Sequence, residues 1–154
     1  MPDVYETWTT NLKYFHDHHR SSLNHLIQEC DTIKRAQIPP FLRSLQSFLH
    51  GLHMHHTIED HHVFPFLAKK FDVSQFEKDH QQLDSIIEKL QTAASATDVG
   101  NWPVEFDRRG MKALLVEMKE LVFPHMQLEE DITRPEKMRE AFTQKEMERF
   151  MSRV

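Results

Sequence analysis

The chain has 154 residues and a net charge of −5 at neutral pH, with 19 basic residues against 24 acidic ones. This length suits one domain with a substantial core. The mixed charges provide no basic run for nucleic acid, no apolar run is long enough to cross a membrane, and three glycines are too few for the many tight turns of a sandwich or barrel.

Cysteine and histidine usage narrows the class further. The single Cys30 excludes a disulfide within the chain and suits a reducing cytosol, so a cytoplasmic location is expected. Residues 1–20 lack the apolar core of a signal peptide. The twelve histidines are the unusual component, and they are interior and dispersed, unlike the contiguous terminal run of a purification tag.

Helical periodicity predicts four long helices, over about residues 4–35, 39–70, 74–93 and 104–131, and a short terminal helix over 143–152. Pro39 and Pro40 suit the first turn of the second helix, and Pro65 should kink or shorten it. The first helix has His16 at the edge of its apolar stripe, which consists of Leu12, Phe15, His19, Leu23, Leu26, Cys30 and Ile33.

The second half of the chain also has helix-start signals and apolar stripes at helical spacing. Ser74 with Glu77, and Thr143 with Glu146, predict capping boxes for the third and terminal helices. The small, polar segment 92–103 is predicted to be a loop. The apolar stripe of the third helix is Phe76, His80, Leu83, Ile87 and Leu90, and that of the fourth is Leu114, Met118, Leu121, Val122, His125, Leu128 and Ile132.

Amphipathic helices joined by short connections predict the fold class. We expect an all-α protein, an antiparallel up-down-up-down four-helix bundle with a short C-terminal helix, forming a single domain over residues 1–154.

The segment from His50 to His62 contains six of the histidines. In it His55 and Glu59 are four residues apart, so they share one helix face, which points into the core. A buried carboxylate beside a buried imidazole costs several kcal/mol unless a charge such as a metal ion compensates it. The remaining histidines of the segment are expected to be solvated, or at most to support the site from outside: His50, His53, His56, His61 and His62.

The fourth helix repeats this spacing in His125 and Glu129. Together with His80 and with His16 or His19, six side chains could converge in the bundle. Two carboxylates with several imidazoles favour a pair of first-row transition ions over Ca²⁺ or Mg²⁺, with iron first and manganese next.

Three segments together resemble the hemerythrin-like (HHE cation-binding) family, over about residues 4–150. They are His55-His56-Thr-Ile-Glu59-Asp60-His-His-Val-Phe-Pro65, Lys78-Asp-His80 and Pro124-His125-Met-Gln-Leu-Glu129-Glu130. The resemblance implies an antiparallel four-helix bundle around an oxo- or hydroxo-bridged, non-haem di-iron centre that can meet O₂. The implied ligands are His55, Glu59, His80, His125, Glu129 and a first-helix histidine, for which the family pattern favours His16 over His19.

The sequence departs from hemerythrins proper at Asp84, where they have a further histidine, while Glu130 occupies the place of their last carboxylate. The missing imidazole leaves an open or oxygen-ligated position, so iron sensing, redox sensing or peroxide chemistry stands beside O₂ carriage. We therefore expect an iron- and oxygen-binding or sensing protein with a small ligand such as O₂, and no nucleic-acid or membrane partner. The alternatives are a di-iron oxidoreductase acting on O₂, NO or peroxide, and a metal-free helical interaction domain.

Overall fold

A computed structural model of the chain describes residues 2–97 and 105–154, and these residues contain helices and no strand. The predicted all-α class is therefore confirmed. Within the described residues, no helix combines the length and apolarity that a membrane span requires. The helices are α1 (Val4–Thr32), α2 (Ile38–Ile58), α3 (Phe64–Leu67), α4 (Ser74–Ala96), α5 (Arg108–Ile132), α6 (Pro135–Ala141) and α7 (Gln144–Met151).

Several predicted boundaries change. Helix α4 continues to Ala96, into the segment predicted to be a loop. Residues 98–103 of that loop and Val104, the predicted start of the fourth helix, lie outside the described residues. The chain also forms α6, which was not predicted. Pro135 is compatible with this helix because it occupies the first turn, where a missing N–H costs nothing.

The helix starts show which local signals operate. Pro39 lies in the first turn of α2, and the Thr143–Glu146 capping box of α7 is present, as predicted. The Ser74–Glu77 box is wrong, because Ser74 is already inside α4 and Val73 is its cap. The Ser74 N–H instead donates to the Asp72 carboxylate at 3.0 Å.

Pro65 acts on the second helical run through a π-helical segment, Glu59–Val63, which joins α2 to α3. Proline has no N–H to donate and its ring crowds the carbonyl four residues earlier, so the ordinary α pattern cannot pass through it unchanged. The Phe64 N–H donates five residues back to the Glu59 carbonyl instead. The run ends at Leu67, three residues before the predicted Lys70, so the expected shortening is confirmed.

The apolar core consists of two clusters. Cluster A includes Leu23, Leu52 and Leu83 together with residues of α5, and cluster B includes Leu12, Val63 and Phe76 together with residues of α6 and α7. In cluster B the Phe66 ring stacks on two rings at 4.1 and 4.2 Å, those of Phe142 and Phe150. Helix α1 packs against α2 and α5, and α4 packs against the same two helices.

Two residues predicted for the inner faces are exposed. Phe15 is 53% and Leu128 42% exposed. Both residues lie at the edge of their apolar stripe: the next residue, His16 or Glu129, is completely buried instead, while predicted inner residues such as Leu23 and Val122 are buried as expected.

Candidate metal centre

A band of buried polar side chains separates cluster A from cluster B. Each of the four long helical runs contributes polar side chains to this band. Along each run, these side chains lie between apolar residues of one cluster and apolar residues of the other. The structure brings together six of the seven predicted ligands: His16, His55, Glu59, His80, His125 and Glu129.

Glu59 lies at the centre of this band, and its two oxygens face different imidazoles. Its Oε1 is 2.6 Å from His55 Nε2 and 3.8 Å from His16 Nε2, while its Oε2 is 3.1 Å from His80 Nε2. The carboxylate therefore belongs to two groups of potential ligands, and within each group the ligand atoms all lie within 4.8 Å of one another. The first group is His16, His55 and Glu59. The second group is His56, Glu59, His80 and His125. Atoms bound at about 2.0–2.2 Å to one ion are at most about 4.4 Å apart, so small adjustments would suit each group to one ion.

Glu129 lies between the same two groups. Its Oε2 is 3.7 Å from His16 Nε2 and 3.9 Å from His125 Nε2, and its side chain is fully buried. The arrangement thus has two adjacent positions for cations, with a carboxylate beside both from α5 as well as from the end of α2.

Unsatisfied polar atoms test whether these residues fit a metal. Nine buried side-chain nitrogen and oxygen atoms of the described residues lack a hydrogen-bond partner, and eight of them belong to His16, His55, His56, Glu59 and Glu129. Native proteins rarely leave such atoms unpaired, because each costs about 1–3 kcal/mol. The short His55–Glu59 approach does not satisfy either side chain, since its geometry is not that of a hydrogen bond. Unpaired imidazole nitrogens and carboxylate oxygens clustered in this way fit bound cations.

Three of the imidazoles are oriented by further carboxylates. His80 Nδ1 is 2.7 Å from Asp60, His125 Nδ1 is 3.0 Å from Asp79, and His16 Nδ1 is 3.1 Å from Glu130. Such carboxylates fix the Nδ1–H tautomer and leave Nε2 free for a metal. Glu130 in turn forms an ion pair with the Arg20 guanidinium, which also pairs with Asp17.

The contact between His80 and His125 supports the same conclusion. Their Nε2 atoms are 3.1 Å apart. When both Nδ1 atoms donate to carboxylates, two neutral rings present lone pairs to each other, and this contact is repulsive unless a proton or a cation lies nearby.

Electrostatics separates the two central carboxyl groups. Burial raises the pKa of Glu129 well above its usual value, and the charge of Glu59 raises it further. Burial also acts to raise the pKa of Glu59, but the charge of His55 and the close approach of the neighbouring imidazoles bring it well below its usual value. Without a metal, ionisation of both carboxyl groups at once is disfavoured, and bound cations would favour it.

His19, the alternative ligand of the first helix, lies beside the band without joining either group. Its ring centroid is 5.1 Å from that of His55 and 6.3 Å from that of Phe48. Burial, followed by the charge of His55, lowers its pKa to about 3, so the imidazole is neutral. It also lines a surface cavity of about 450 Å³ together with Phe48 and Gly51.

Sequence reasoning missed His56 and the three orienting carboxylates. His56 was expected in solvent or outside the site, yet it is 3% exposed and lies in the second group of ligand atoms. A signal was available, since Leu45, Leu49, Leu52 and His56 follow one helical stripe. His50, His53, His61 and His62 are exposed as expected, and so is Asp84.

The first helix offers a direct test of the ligand assignment. His16→Ala should lower the metal content more than His19→Ala, because His16 is fully buried between Glu59 and Glu129 whereas His19 lies outside both groups. His18→Ala and His25→Ala are the controls, since both residues are exposed on the same helix. Elemental analysis of the four purified variants measures the effect. A loss confined to His19→Ala would show that the stripe, and not the buried contact, identifies the ligand.

Comparison with known proteins agrees with this geometry. Residues 8–136 match the family model described as the hemerythrin HHE cation binding domain. The matched segment includes every candidate ligand named above. No curated protein and no solved structure matches the chain.

Proposed function

Because the chain belongs to the hemerythrin HHE cation-binding family, we propose that it is a non-haem di-iron protein that binds iron, and O₂ or a related small ligand, within its helical core. The single observation that carries this proposal is the clustering of unpaired buried atoms of His16, His55, His56, Glu59 and Glu129 at two adjacent groups of potential ligands that share Glu59. Bound cations would satisfy these lone pairs and offset the buried negative charge at the same time.

The donor set favours iron. Five imidazoles and two carboxylates surround the two positions. Ca²⁺ and Mg²⁺ prefer shells of oxygen alone, and a structural Zn²⁺ takes four ligands, whereas mixed nitrogen and carboxylate ligands suit iron, with manganese next. An iron pair would supply reversible one-electron redox change and Lewis acidity.

The helix arrangement that we propose around this site is the antiparallel four-helix bundle. It is supported by the order in which the two core clusters occur along the chain. Cluster B precedes the site residues in α1 and α4 and follows them in α2, whereas cluster A precedes them in α2 and α5. This alternation supports successive long helices that cross the band in opposite directions.

The two positions would differ in their access to solvent. The group containing His16 and His55 has two imidazoles, and the His55 side chain is 15% exposed, whereas His80 and His125 are almost completely buried. The exposed Phe15 ring lies 6.4 Å from the His55 ring. A small apolar ligand such as O₂ would therefore approach the position beside His55. Binding or sensing this ligand requires no further acid–base residue.

The test is anaerobic iron loading followed by elemental analysis and a visible spectrum with and without O₂ and azide. We expect about two irons per chain, as in other carboxylate-bridged bundle sites, and an oxidised spectrum that changes when azide is added. No iron after careful reconstitution would leave the metal-free interaction domain. Two irons with a spectrum insensitive to azide would contradict an exchangeable ligand position.

A further inference from the structure

His56 is a buried imidazole without a hydrogen-bond partner on either ring nitrogen. It is 3% exposed, so water does not reach the ring to replace a missing partner. A neutral imidazole has one N–H donor and one lone pair, and leaving both unpaired in a core is costly. An apolar side chain of similar size would be cheaper at this place unless the ring has a ligand.

The surroundings of the His56 ring indicate what its binding partner is. The His56 ring stacks on the His80 ring at 4.1 Å, and its centroid is 5.8 Å from that of His125. One of its ring nitrogens lies within 4.8 Å of ligand atoms of Glu59, His80 and His125. The other two imidazoles of this group, those of His80 and His125, are each oriented by a carboxylate at Nδ1, Asp60 for His80 and Asp79 for His125.

Helix α4 provides no equivalent side chain. Asp84, one turn after His80 and the place where the sequence departs from hemerythrins, is exposed and lines a surface cavity instead of the band. The third nitrogen donor next to His80 and His125 comes from α2, adjacent in sequence to His55.

We propose that His56 is a metal ligand, the third imidazole of the position formed by His80, His125 and Glu59. The inference rests on the proposed function and specifies one of its positions. Consecutive residues of α2 then serve different ions, His55 on one side of Glu59 and His56 on the other. The position that lacks a family histidine is thereby completed by nitrogen and not by water.

The experiment compares His56→Leu with the control His53→Leu, three residues earlier on the same helix and exposed. Iron content and urea unfolding are measured with and without iron. We expect His56→Leu to fall from two irons per chain to about one, since one of two positions loses a donor. Without iron the same variant should unfold at a higher urea concentration than the unmodified protein, because the unpaired nitrogens are gone. The control should change neither value.

A chemical rescue separates ligation from packing. His56→Gly should lose one iron, and reconstitution with free imidazole should restore it, while His53→Gly reports the cost of glycine in the helix. Two irons retained in His56→Leu, or a loss in His56→Gly that imidazole does not restore, would overturn the proposal while the di-iron function stood. Absence of iron from the unmodified protein would instead contradict the proposed function itself.

Discussion

Glu59→Ala should abolish binding of both ions and lower the unfolding free energy of the iron-loaded protein by about 3–5 kcal/mol, the cost of breaking a buried ion pair. Glu59 is the one residue present in both groups of ligand atoms. Its removal takes from both positions the carboxylate that they share, and it leaves Glu129 as the one central carboxylate beside the neighbouring imidazoles. Elemental analysis and urea unfolding after iron loading measure the two effects.

Glu120→Ala is the matched control, because Glu120 is an exposed carboxylate on α5. Glu129→Leu provides a second arm. It should also lose metal, but it should stabilise the metal-free protein, since the high pKa of Glu129 marks a buried group that is poorly accommodated without cations. A Glu59→Ala variant that keeps a full complement of iron, or equal destabilisation of Glu129→Leu with and without iron, would contradict the assignment of these carboxylates.

Removal of the metal should lower the stability of the unmodified protein strongly. A ligand present at a thousand times its Kd stabilises the folded state by about 4 kcal/mol. For a domain of this size that corresponds to a difference in Tm of about 8–16 °C. Calorimetry of the iron-loaded protein before and after chelation measures this difference.

Hydrogen exchange should locate the change near the π-helical segment Glu59–Val63, which begins at the shared carboxylate. Adding Ca²⁺ or Mg²⁺ to the chelated protein is the control and should not restore the Tm. The same Tm with and without iron would contradict a link between occupancy and folding. Such a link is the physical basis by which this site could report iron availability to a partner, because occupancy would change local order.

The sequence by itself determined the helical class and most of the site. Apolar residues at helical spacing located four long helices, and the terminal capping box appears where Thr143 and Glu146 predicted it. Two His–Glu pairs at a spacing of four residues identified His55, Glu59, His125 and Glu129, because this spacing puts both side chains of a pair on one face.

Tertiary structure decided what periodicity leaves ambiguous. The first-helix stripe admits both His16 and His19, and only the packing of α1 against α2 and α5 brings His16 between the two carboxylates. A residue three positions after a buried one lies about 60° from it around the helix, at the edge of the stripe, where periodicity does not decide burial. For this reason Phe15 and Leu128 were expected inside and are exposed.

Contacts between distant segments were beyond local pattern as well. Local spacing does not pair Asp60, Asp79 or Glu130 with a particular imidazole, because each meets its partner across 20 to 114 residues of chain. His56 belongs to a helical stripe with Leu45 and Leu52, but a stripe does not state what a buried imidazole meets. Sequence periodicity specifies which face of a helix turns inward, whereas the ligands of a shared ion are specified by where four such faces converge, and that is a property of the packed helices.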